Sequence, residues 1–303
     1  MKIICLCGPT ASGKSAAALA LAGAGVPICV INADSRQVYR DFPIITAAPT
    51  AEERSVCPHM LYGYMATEEK NTAGIWAASA AEALRNVSGE GRIPVLTGGT
   101  GMYFRALLDG MAEIPPVPER IHERLIEECS ETGPVPLHER LREIDPEYAA
   151  KIHPNDRQRI MRALEVWEAT GRTFTSWHAQ TPSPDAGHEV LRLGLGLPLE
   201  ELTPRLYKRT QLMLEQGAVG EARRALRICP RTQAPGWSGI GCRELAAYLT
   251  GETSLENAVE LWNKNTRAYA KRQWTWFRAD RRIRWFRPED KSYIDAVRRF
   301  LDS

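Results

Sequence analysis

The sequence predicts an α/β fold in which helices flank a parallel β-sheet and a helical segment is inserted into the chain. Apolar runs rich in β-branched residues alternate with alanine-rich helical runs over the N-terminal third. The first apolar run leads into Gly-Pro-Thr-Ala-Ser-Gly-Lys-Ser at 8–15, which matches the phosphate-binding pattern G-x-x-x-x-G-K-[ST]. A proline-rich stretch at 114–118 then opens a region of helical periodicity. We therefore expect a P-loop NTPase-like parallel sheet formed by 1–113 and 189–303, with an inserted all-helical domain at 114–188.

The composition is that of a globular protein. With 303 residues, of which 44% are apolar and 25% charged, the chain can form a full core. No apolar run approaches the roughly 18–20 residues that a membrane-spanning helix needs, and the first residues lead into a strand rather than a cleavable signal. Seven cysteines without a C-x-x-C spacing favour small buried hydrophobes over a zinc site or disulfides. We expect a cytoplasmic protein with no membrane partner.

The loop at 8–15 has the residue types that bind phosphate. Its glycines let successive N–H groups point at phosphate oxygens, Lys14 can reach terminal phosphates, and the Ser15 hydroxyl can hold Mg²⁺. A chance glycine turn beside a surface lysine would not explain why both glycines and the Lys-Ser pair fall in register. The predicted phosphate site consists of Gly8, Pro9, Thr10, Ala11, Ser12, Gly13, Lys14 and Ser15.

A second apolar run, at 28–31, predicts a buried strand that ends shortly before Asp34. In an open α/β sheet, ligands bind at the carboxyl ends of the strands, where the P-loop also opens. Asp34 is therefore a candidate general base, a candidate Mg²⁺ ligand, or simply a cap of the following turn. The polar residues 37–40 can face the same cleft.

Further core elements follow. Strands are predicted at 59–65 and 93–96, and helices at 72–85 and 102–108. The segment Thr97-Gly98-Gly99-Thr100-Gly101 joins the last strand to the last helix. We expect this glycine loop to let the backbone approach a ligand closely, with the Thr100 hydroxyl available beside it.

The predicted insertion contains helices at 119–129, 137–142 and 156–169. Positive charge in the first turn of a helix opposes the helix dipole. The last of these helices nevertheless begins with three arginines, which are either solvated surface charge or partners of phosphate. They are Arg157, Arg159 and Arg162.

The rest of the chain is predicted to rejoin the sheet at 191–197 and to continue with helices at 202–216, 243–250 and 255–278. Basic residues interleaved with aromatic ones far outnumber a single acid between 264 and 287. This pattern fits a surface for a polyanion such as nucleic acid, or an amphipathic helix with a solvated basic face and a tryptophan core stripe. The basic residues are Lys264, Arg267, Lys271, Arg272, Arg278, Arg281, Arg282, Arg284 and Arg287.

Five blocks, in order along nearly the whole chain, resemble the tRNA dimethylallyltransferases. These enzymes transfer an isopentenyl group to an adenosine beside the anticodon. Five blocks in the right order are far more specific than any one of them. They are the P-loop 8–15, Asp34-Ser35-Arg36-Gln37-Val38-Tyr39, Thr97 to Tyr103, Ile152 to Val166 with its His-Pro-Asn-Asp start, and Ala270-Lys271-Arg272-Gln273 with Thr275-Trp276.

The resemblance implies a bacterial-type monomeric enzyme whose substrates are dimethylallyl diphosphate and the tRNA anticodon stem-loop, with Mg²⁺ held by Ser15. The residues that it assigns to catalysis are Asp34, Lys14, Ser15, Arg209 and Thr100. Those that it assigns to the diphosphate are the loop 8–15 and Arg209. Those that it assigns to tRNA are Asp34, Ser35, Arg36, Gln37, Thr100, Arg120, Gln158, Arg159, Ile160, Met161, Arg162, Arg243, Lys271, Arg272, Gln273, Trp276 and Arg278.

Two positions depart from the family pattern. Ala48 stands where many relatives have a lysine, and Cys242 stands where relatives often have a tyrosine in a segment expected near the RNA. Two other functions remain open. One is a P-loop kinase or prenyltransferase that acts on a free adenine nucleotide, which would not need the basic segment. The other is a nucleotide-switched RNA-binding protein without transfer chemistry.

Overall fold

The computed structural model describes residues 1–180 and 188–303. Within them, six parallel strands form one sheet in the order β3-β2-β4-β1-β5-β6. The strands are β1 (Lys2–Cys7), β2 (Ile28–Asn32), β3 (His59–Met60), β4 (Ile93–Gly98), β5 (Glu189–Leu195) and β6 (Arg284–Phe286). The strand that precedes the P-loop therefore lies inside the sheet, between β4 and β5.

Helices lie between these strands along the chain and follow the last of them. In the part of the chain that the structure describes, they are α1 (Lys14–Gly23), α2 (Ala51–Val56), α3 (Ala73–Gly89), α4 (Gly101–Leu108), α5 (Glu119–Thr132), α6 (Pro134–Ile144), α7 (Pro146–Ala149), α8 (Arg157–Thr170), α9 (Phe174–Ala179), α10 (Leu199–Glu215), α11 (Ala218–Ile228), α12 (Cys242–Leu249), α13 (Leu255–Arg278) and α14 (Tyr293–Asp302).

Both faces of the sheet are buried, as a parallel sheet requires. Side chains alternate between the faces along each strand. In β1, Ile4 and Leu6 join a core cluster with residues of α1 and α14. Ile3 and Cys5 join the cluster on the other face, which contains residues of α3, α11, α12 and α13. The P-loop thus follows a buried central strand and lies at the carboxyl ends of the parallel strands.

The structure divides into two compact units. One comprises Met1–Leu108 and Asp185–Ser303, and the other comprises Asp109–Pro184. In its described residues the second unit contains only helices, α5 to α9, around a core that includes Leu125, Leu141 and Ile160. The predicted insertion, 114–188, differs from this unit by a few residues at each end.

The predicted α/β fold with a parallel sheet and a helical insertion is confirmed. The strand predicted at 59–65 is wrong in its extent, because Leu61 and Gly63 have positive φ angles of 62° and 59°, which end the extended backbone after Met60. The prediction also missed α2, α7, α9, α11, β6 and α14. All seven cysteines are buried and none forms a disulfide. No helix of the described residues is both long enough and apolar enough to cross a membrane.

Candidate active site

The P-loop has a backbone that only glycine accommodates at its first position. Gly8 has a φ of 139°, and a Cβ atom built on it would lie 2.1 Å from the carbonyl oxygen of Leu195. Gly13 has a φ of 89° and Ala11 a φ of 60°, so the chain curls through left-handed conformations before α1 begins at Lys14. This curled loop at the start of a helix is the geometry in which backbone N–H groups bind an anion.

Lys14 is held at the mouth of this loop. Its Nζ atom donates a 2.6 Å hydrogen bond to the carbonyl oxygen of Pro9. Burial lowers the pKa of Lys14 from 10.5 to about 8, while the nearby carboxylate of Asp34 favours the charged form and Arg209 disfavours it. A buried ammonium with so little compensating charge is a strong site for an incoming anion.

Arg209 reaches the same loop from α10. Its Nη1 atom donates to the Thr10 hydroxyl at 3.3 Å. Burial lowers its pKa, and the charges of Asp34 and Glu53 oppose that shift. The structure therefore brings together the two cations that the sequence analysis assigned to the diphosphate, although 195 residues separate them in the chain.

Asp34 follows β2 and faces these cations. One carboxylate oxygen, Oδ1, accepts a 2.8 Å hydrogen bond from the backbone N–H of Arg36, which makes it a cap of the turn. Its negative charge also raises the pKa of Lys14 relative to burial alone, and it raises the pKa of Tyr62 and Tyr269. The carboxylate therefore caps its own turn and also acts electrostatically on the P-loop side of the cleft.

Thr100 is tied to the residue after Asp34. The Thr100 hydroxyl accepts a hydrogen bond from the backbone N–H of Ser35 at 2.9 Å and lies 3.3 Å from the Ser35 hydroxyl. The hydroxyl of Tyr269, on α13, also interacts with Thr100, and burial together with Asp34 raises the pKa of Tyr269 to about 12. The sequence analysis missed Tyr269; its position four residues before Gln273, one turn away on the same helix, was the available signal.

The second glycine loop makes close contacts with protein. A Cβ atom built on Gly98 would lie 2.1 Å from the Ala33 carbonyl oxygen. One built on Gly99 would lie 2.0 Å from Nε2 of Gln273, and one on Gly101 would lie 2.0 Å from Nε1 of Trp276. We expected these glycines to let a ligand approach the backbone closely. In the structure they instead let the end of β2 and one side of α13 pack against that backbone.

Gln273 clamps the two loops together. Its side chain is only 4% exposed. Oε1 accepts the Thr10 N–H at 2.9 Å, and Nε2 donates to the Gly99 carbonyl oxygen at 2.9 Å. The amide is therefore occupied by the protein's own backbone, and the assignment of Gln273 to tRNA stays a prediction. Trp276, one turn further along α13, remains 39% exposed.

The basic segment separates into two groups. Arg282 and Arg287 pair with Asp280 and Glu201. Other basic residues, on α13, are exposed and take no part in the ion pairs between described residues: Lys271, Arg272 and Arg278. The guanidinium groups of the two arginines lie 5.6 Å from the ring centres of Tyr269 and Trp274, respectively. Four more basic residues of the segment are also exposed without an acidic partner among the described residues: Lys264, Arg267, Arg281 and Arg284.

Two polar residues after Asp34 hold neighbouring loops. Arg36 donates to the Ser238 hydroxyl at 2.5 Å. Nε2 of Gln37 donates to the carbonyl oxygens of Thr46 and Ala47 at 3.0 and 2.7 Å. Both side chains are half-buried, so each keeps only part of its polar surface for a ligand. Arg243, at the start of α12, is exposed.

In the helical unit, four of the residues assigned to tRNA are exposed: Arg120, Gln158, Arg159 and Arg162. Arg159 pairs with Asp156 at 3.0 Å, and Arg162 lies 3.4 Å from Glu165. Ile160 and Met161 are 0% and 6% exposed and belong to the core of the unit. Their side chains face the core because the apolar face of α8 is buried against α5 and α6, and their assignment to tRNA stays a prediction.

The departures from the family pattern have structural settings. Cys242 is fully buried in the cluster that contains Trp237 and Trp262. The position therefore belongs to the core here, and a surface role for it is excluded. Ala48 is half-buried and follows Ala47, whose φ is 50°.

A curled glycine loop between the central strand and α1, with two cations at its mouth, defines a P-loop protein of the α/β class. The family comparison is more specific. Residues 37–280 match the model of the IPP transferase family. The chain belongs to this family.

Several characterised relatives span almost the full chain. A tRNA dimethylallyltransferase of Nitratidesulfovibrio vulgaris (strain DP4) is 57% identical over 290 residues, which cover 95% of this chain and 93% of the relative. One from Oleidesulfovibrio alaskensis is 50% identical over 295 residues, covering 97% and 96%. The crystal structure of the full-length tRNA isopentenylpyrophosphate transferase from Bacillus halodurans is similar with a TM-score of 0.71 and 32% identity, covering 99% of this chain and 95% of that one. A eukaryotic dimethylallyltransferase acting on tRNA gives a TM-score of 0.78 with 28% identity, covering 99% and 77%.

Proposed function

We propose that this protein is a transferase that moves a dimethylallyl group from dimethylallyl diphosphate to the N6 amine of the adenosine on the 3′ side of the anticodon in tRNA, and releases diphosphate. One observation carries the proposal: Lys14 and Arg209 converge on the P-loop while the carboxylate of Asp34 faces them. The names of its relatives, which are tRNA dimethylallyltransferases at up to 57% identity, support the same reaction.

The reaction needs two kinds of assistance. An exocyclic adenine amine is a poor nucleophile because its lone pair is delocalised into the ring, whereas an allylic diphosphate ionises once its leaving charge is stabilised. The P-loop N–H groups, Lys14 and Arg209 supply that stabilisation electrostatically. The loop then binds the leaving diphosphate and does not hydrolyse a nucleotide.

Asp34 is the group that takes the proton. As the bond from nitrogen to the allyl carbon forms and the carbon–oxygen bond breaks, the amine nitrogen becomes acidic, and a carboxylate within reach accepts its proton. Thr100 and Ser35, the residue after Asp34, are hydrogen-bonded to each other and supply hydroxyl groups that can bind the extruded base. Reaching the amine requires the adenosine to leave its stack, as in other enzymes that modify a base.

Mg²⁺ fits the donors at this site. The Ser15 hydroxyl on the first turn of α1 is a hard oxygen donor of the kind that Mg²⁺ prefers. Among residues 1–180 and 188–303, no group of three His, Cys, Asp or Glu side chains could hold an ion alone, so the diphosphate oxygens would complete the coordination. When bound, the ion neutralises charge that develops on the leaving diphosphate.

The tRNA backbone is held by basic side chains on two elements. In the first unit these are Lys271, Arg272 and Arg278 on α13, which lack acidic partners among the described residues. In the helical unit they include Arg159 and Arg162 on α8. We also propose that the protein acts as a cytoplasmic monomer.

The decisive experiment follows the product. Unmodified tRNA transcripts incubated with labelled dimethylallyl diphosphate and Mg²⁺ should yield a dimethylallyl-adenosine nucleoside by mass spectrometry, located beside the anticodon. The variant Lys14→Met should give none under the same conditions, and AMP should not replace tRNA as acceptor. Turnover of AMP with no product on tRNA would refute the proposal, as would RNA binding without any covalent product.

A further inference from the structure

Asn32 is a polar residue in an apolar setting. It is the last residue of β2 and has no exposed surface. Because side chains alternate along a strand, Asn32 lies on the same face as Ile28 and Val30, which pack with α1 in the core. A buried amide is tolerated only when its polar atoms are hydrogen-bonded. The hydrogen-bond partners of the Asn32 amide therefore indicate its role in the structure.

All of the amide's hydrogen-bonding groups are directed at two backbone segments. Oδ1 accepts the N–H of Asp34 at 2.8 Å. Nδ2 donates one hydrogen bond to the Asp34 carbonyl oxygen at 3.0 Å and one to the Leu61 carbonyl oxygen at 2.9 Å. Asn32 thus hydrogen-bonds both the N–H and the carbonyl oxygen of Asp34. It also links the main chain of Asp34 to the segment after β3.

The second segment has a conformation that needs such support. Leu61 has a φ of 62°, in the left-handed region that a branched apolar residue rarely adopts. Tyr62 follows it, and the pKa of Tyr62 is raised by burial and by the charge of Asp34. The bond from Asn32 therefore fixes a wall of the cleft that stands next to Asp34.

We propose that Asn32 is a positioning residue that sets the location of the Asp34 carboxylate for proton removal, an inference that rests on the proposed function. The carboxylate itself has one hydrogen bond from the described residues, the 2.8 Å bond from Arg36 N–H. The anchor of the Asp34 main chain comes from Asn32. A displacement of a reacting group by about 1 Å can lower a rate by about 100-fold, so the loss of this anchor should act on turnover.

The test uses two substitutions of Asn32 and one control. Asn32→Ala removes all three hydrogen bonds. Asn32→Ser keeps a hydroxyl that can accept the Asp34 N–H, as serine does in such turns, and it serves if the alanine variant folds poorly. Val30→Ala is the matched control, since Val30 is buried on the same face of β2 and does not touch Asp34. Each is made in the wild type and in the Asp34→Asn background.

Initial rates of transfer to tRNA give kcat and KM for both substrates, and circular dichroism gives the folded fraction. Asn32→Ala should lower kcat by about 10- to 100-fold with KM values within about threefold of wild type. Asn32→Ser should recover activity to within about fivefold of wild type, and Val30→Ala should keep wild-type kcat when folded. In the Asp34→Asn background, Asn32→Ala should have almost no further effect, because the group that it positions is already lost.

Three results would overturn the inference. The first is an equal fold-loss from Asn32→Ala with and without Asp34→Asn. The second is a loss of kcat in folded Val30→Ala that equals the loss in Asn32→Ala. The third is an inactive wild-type protein, which would refute the proposed function and the inference together, whereas the first two leave the proposed function intact.

Discussion

Replacement of Lys14 by methionine should stabilise the free protein while removing its response to diphosphate. Burial lowers the pKa of Lys14 from 10.5 to about 8. At pH 7 the charged ammonium therefore opposes folding, and a shift of this size sets an upper limit of about 3.4 kcal/mol on that cost. The side chain keeps some exposed surface, so screening by water reduces the expected cost to about 1–2 kcal/mol.

The effect should depend on pH in a defined direction. Because the pKa is lower in the folded than in the unfolded state, the folded protein binds fewer protons between about pH 8 and 10.5. The unfavourable contribution of Lys14 therefore shrinks as the pH rises through this window. Lys14→Met should raise the free energy of unfolding by about 1–2 kcal/mol at pH 7 and by a small fraction of that near pH 10.

Urea unfolding followed by tryptophan fluorescence at both pH values measures this difference. Lys70→Met, at an exposed position outside the site, is the control and should change little. Inorganic diphosphate with Mg²⁺ at about 100 times its Kd should stabilise the wild type by about 2.7 kcal/mol and Lys14→Met by less than about 1 kcal/mol. A variant less stable than wild type at pH 7, or one that diphosphate stabilises fully, would refute the reasoning.

Three further predictions concern other parts of the site. Asp34→Asn should leave binding of tRNA and diphosphate nearly unchanged and lower turnover by about 10²- to 10⁴-fold; recovery of the rate by added Mg²⁺ would identify a metal ligand instead of a base. The double variant Lys271→Ala, Arg272→Ala should weaken tRNA binding and reduce the slope of log K against log salt by about 1–2, and an unchanged slope in filter binding would contradict contact with phosphates. Gln273→Ala should lower the melting temperature and weaken diphosphate binding, because it leaves the buried Gly99 carbonyl oxygen unpaired at about 1–3 kcal/mol and frees the half-buried Thr10 N–H; calorimetry that finds normal diphosphate affinity would rule out the clamp.

The sequence could predict those parts of the site that are local in the chain. The P-loop is a contiguous pattern between a strand and a helix, so its position at the carboxyl end of β1 follows from the residues alone. Asp34 was predictable because the apolar run before it ends at a definite residue. The same logic failed at 59–65, where apolar and aromatic residues look like a strand but Leu61 adopts a left-handed conformation. The carbonyl oxygen of Leu61 accepts a hydrogen bond from Asn32, 29 residues away, and no local pattern encodes that contact.

The functional meaning of the glycine loop also depends on partners distant in the chain. A glycine in a sequence shows that something approaches the backbone closely, but it does not show what. At Gly98 the neighbour is the end of β2, and at Gly99 and Gly101 it is α13, more than 170 residues later. For Ile160 and Met161, position within a block of family resemblance suggested RNA contact, whereas the 3.6-residue period of α8 places them in the core.

The two roles of α13 explain why its pattern was ambiguous in the sequence. One side of the helix buries Phe277 and Gln273, and the amide of Gln273 fixes Thr10 in the P-loop and Gly99 in the glycine loop. The other side exposes Lys271 and Arg272. The same 24-residue helix therefore has a buried side and an exposed basic side, but Trp274 and Trp276 are not part of a buried stripe. Since one continuous helix carries the clamp and the basic face, the P-loop that we propose binds diphosphate is tied to the same helix as the side chains proposed to bind RNA.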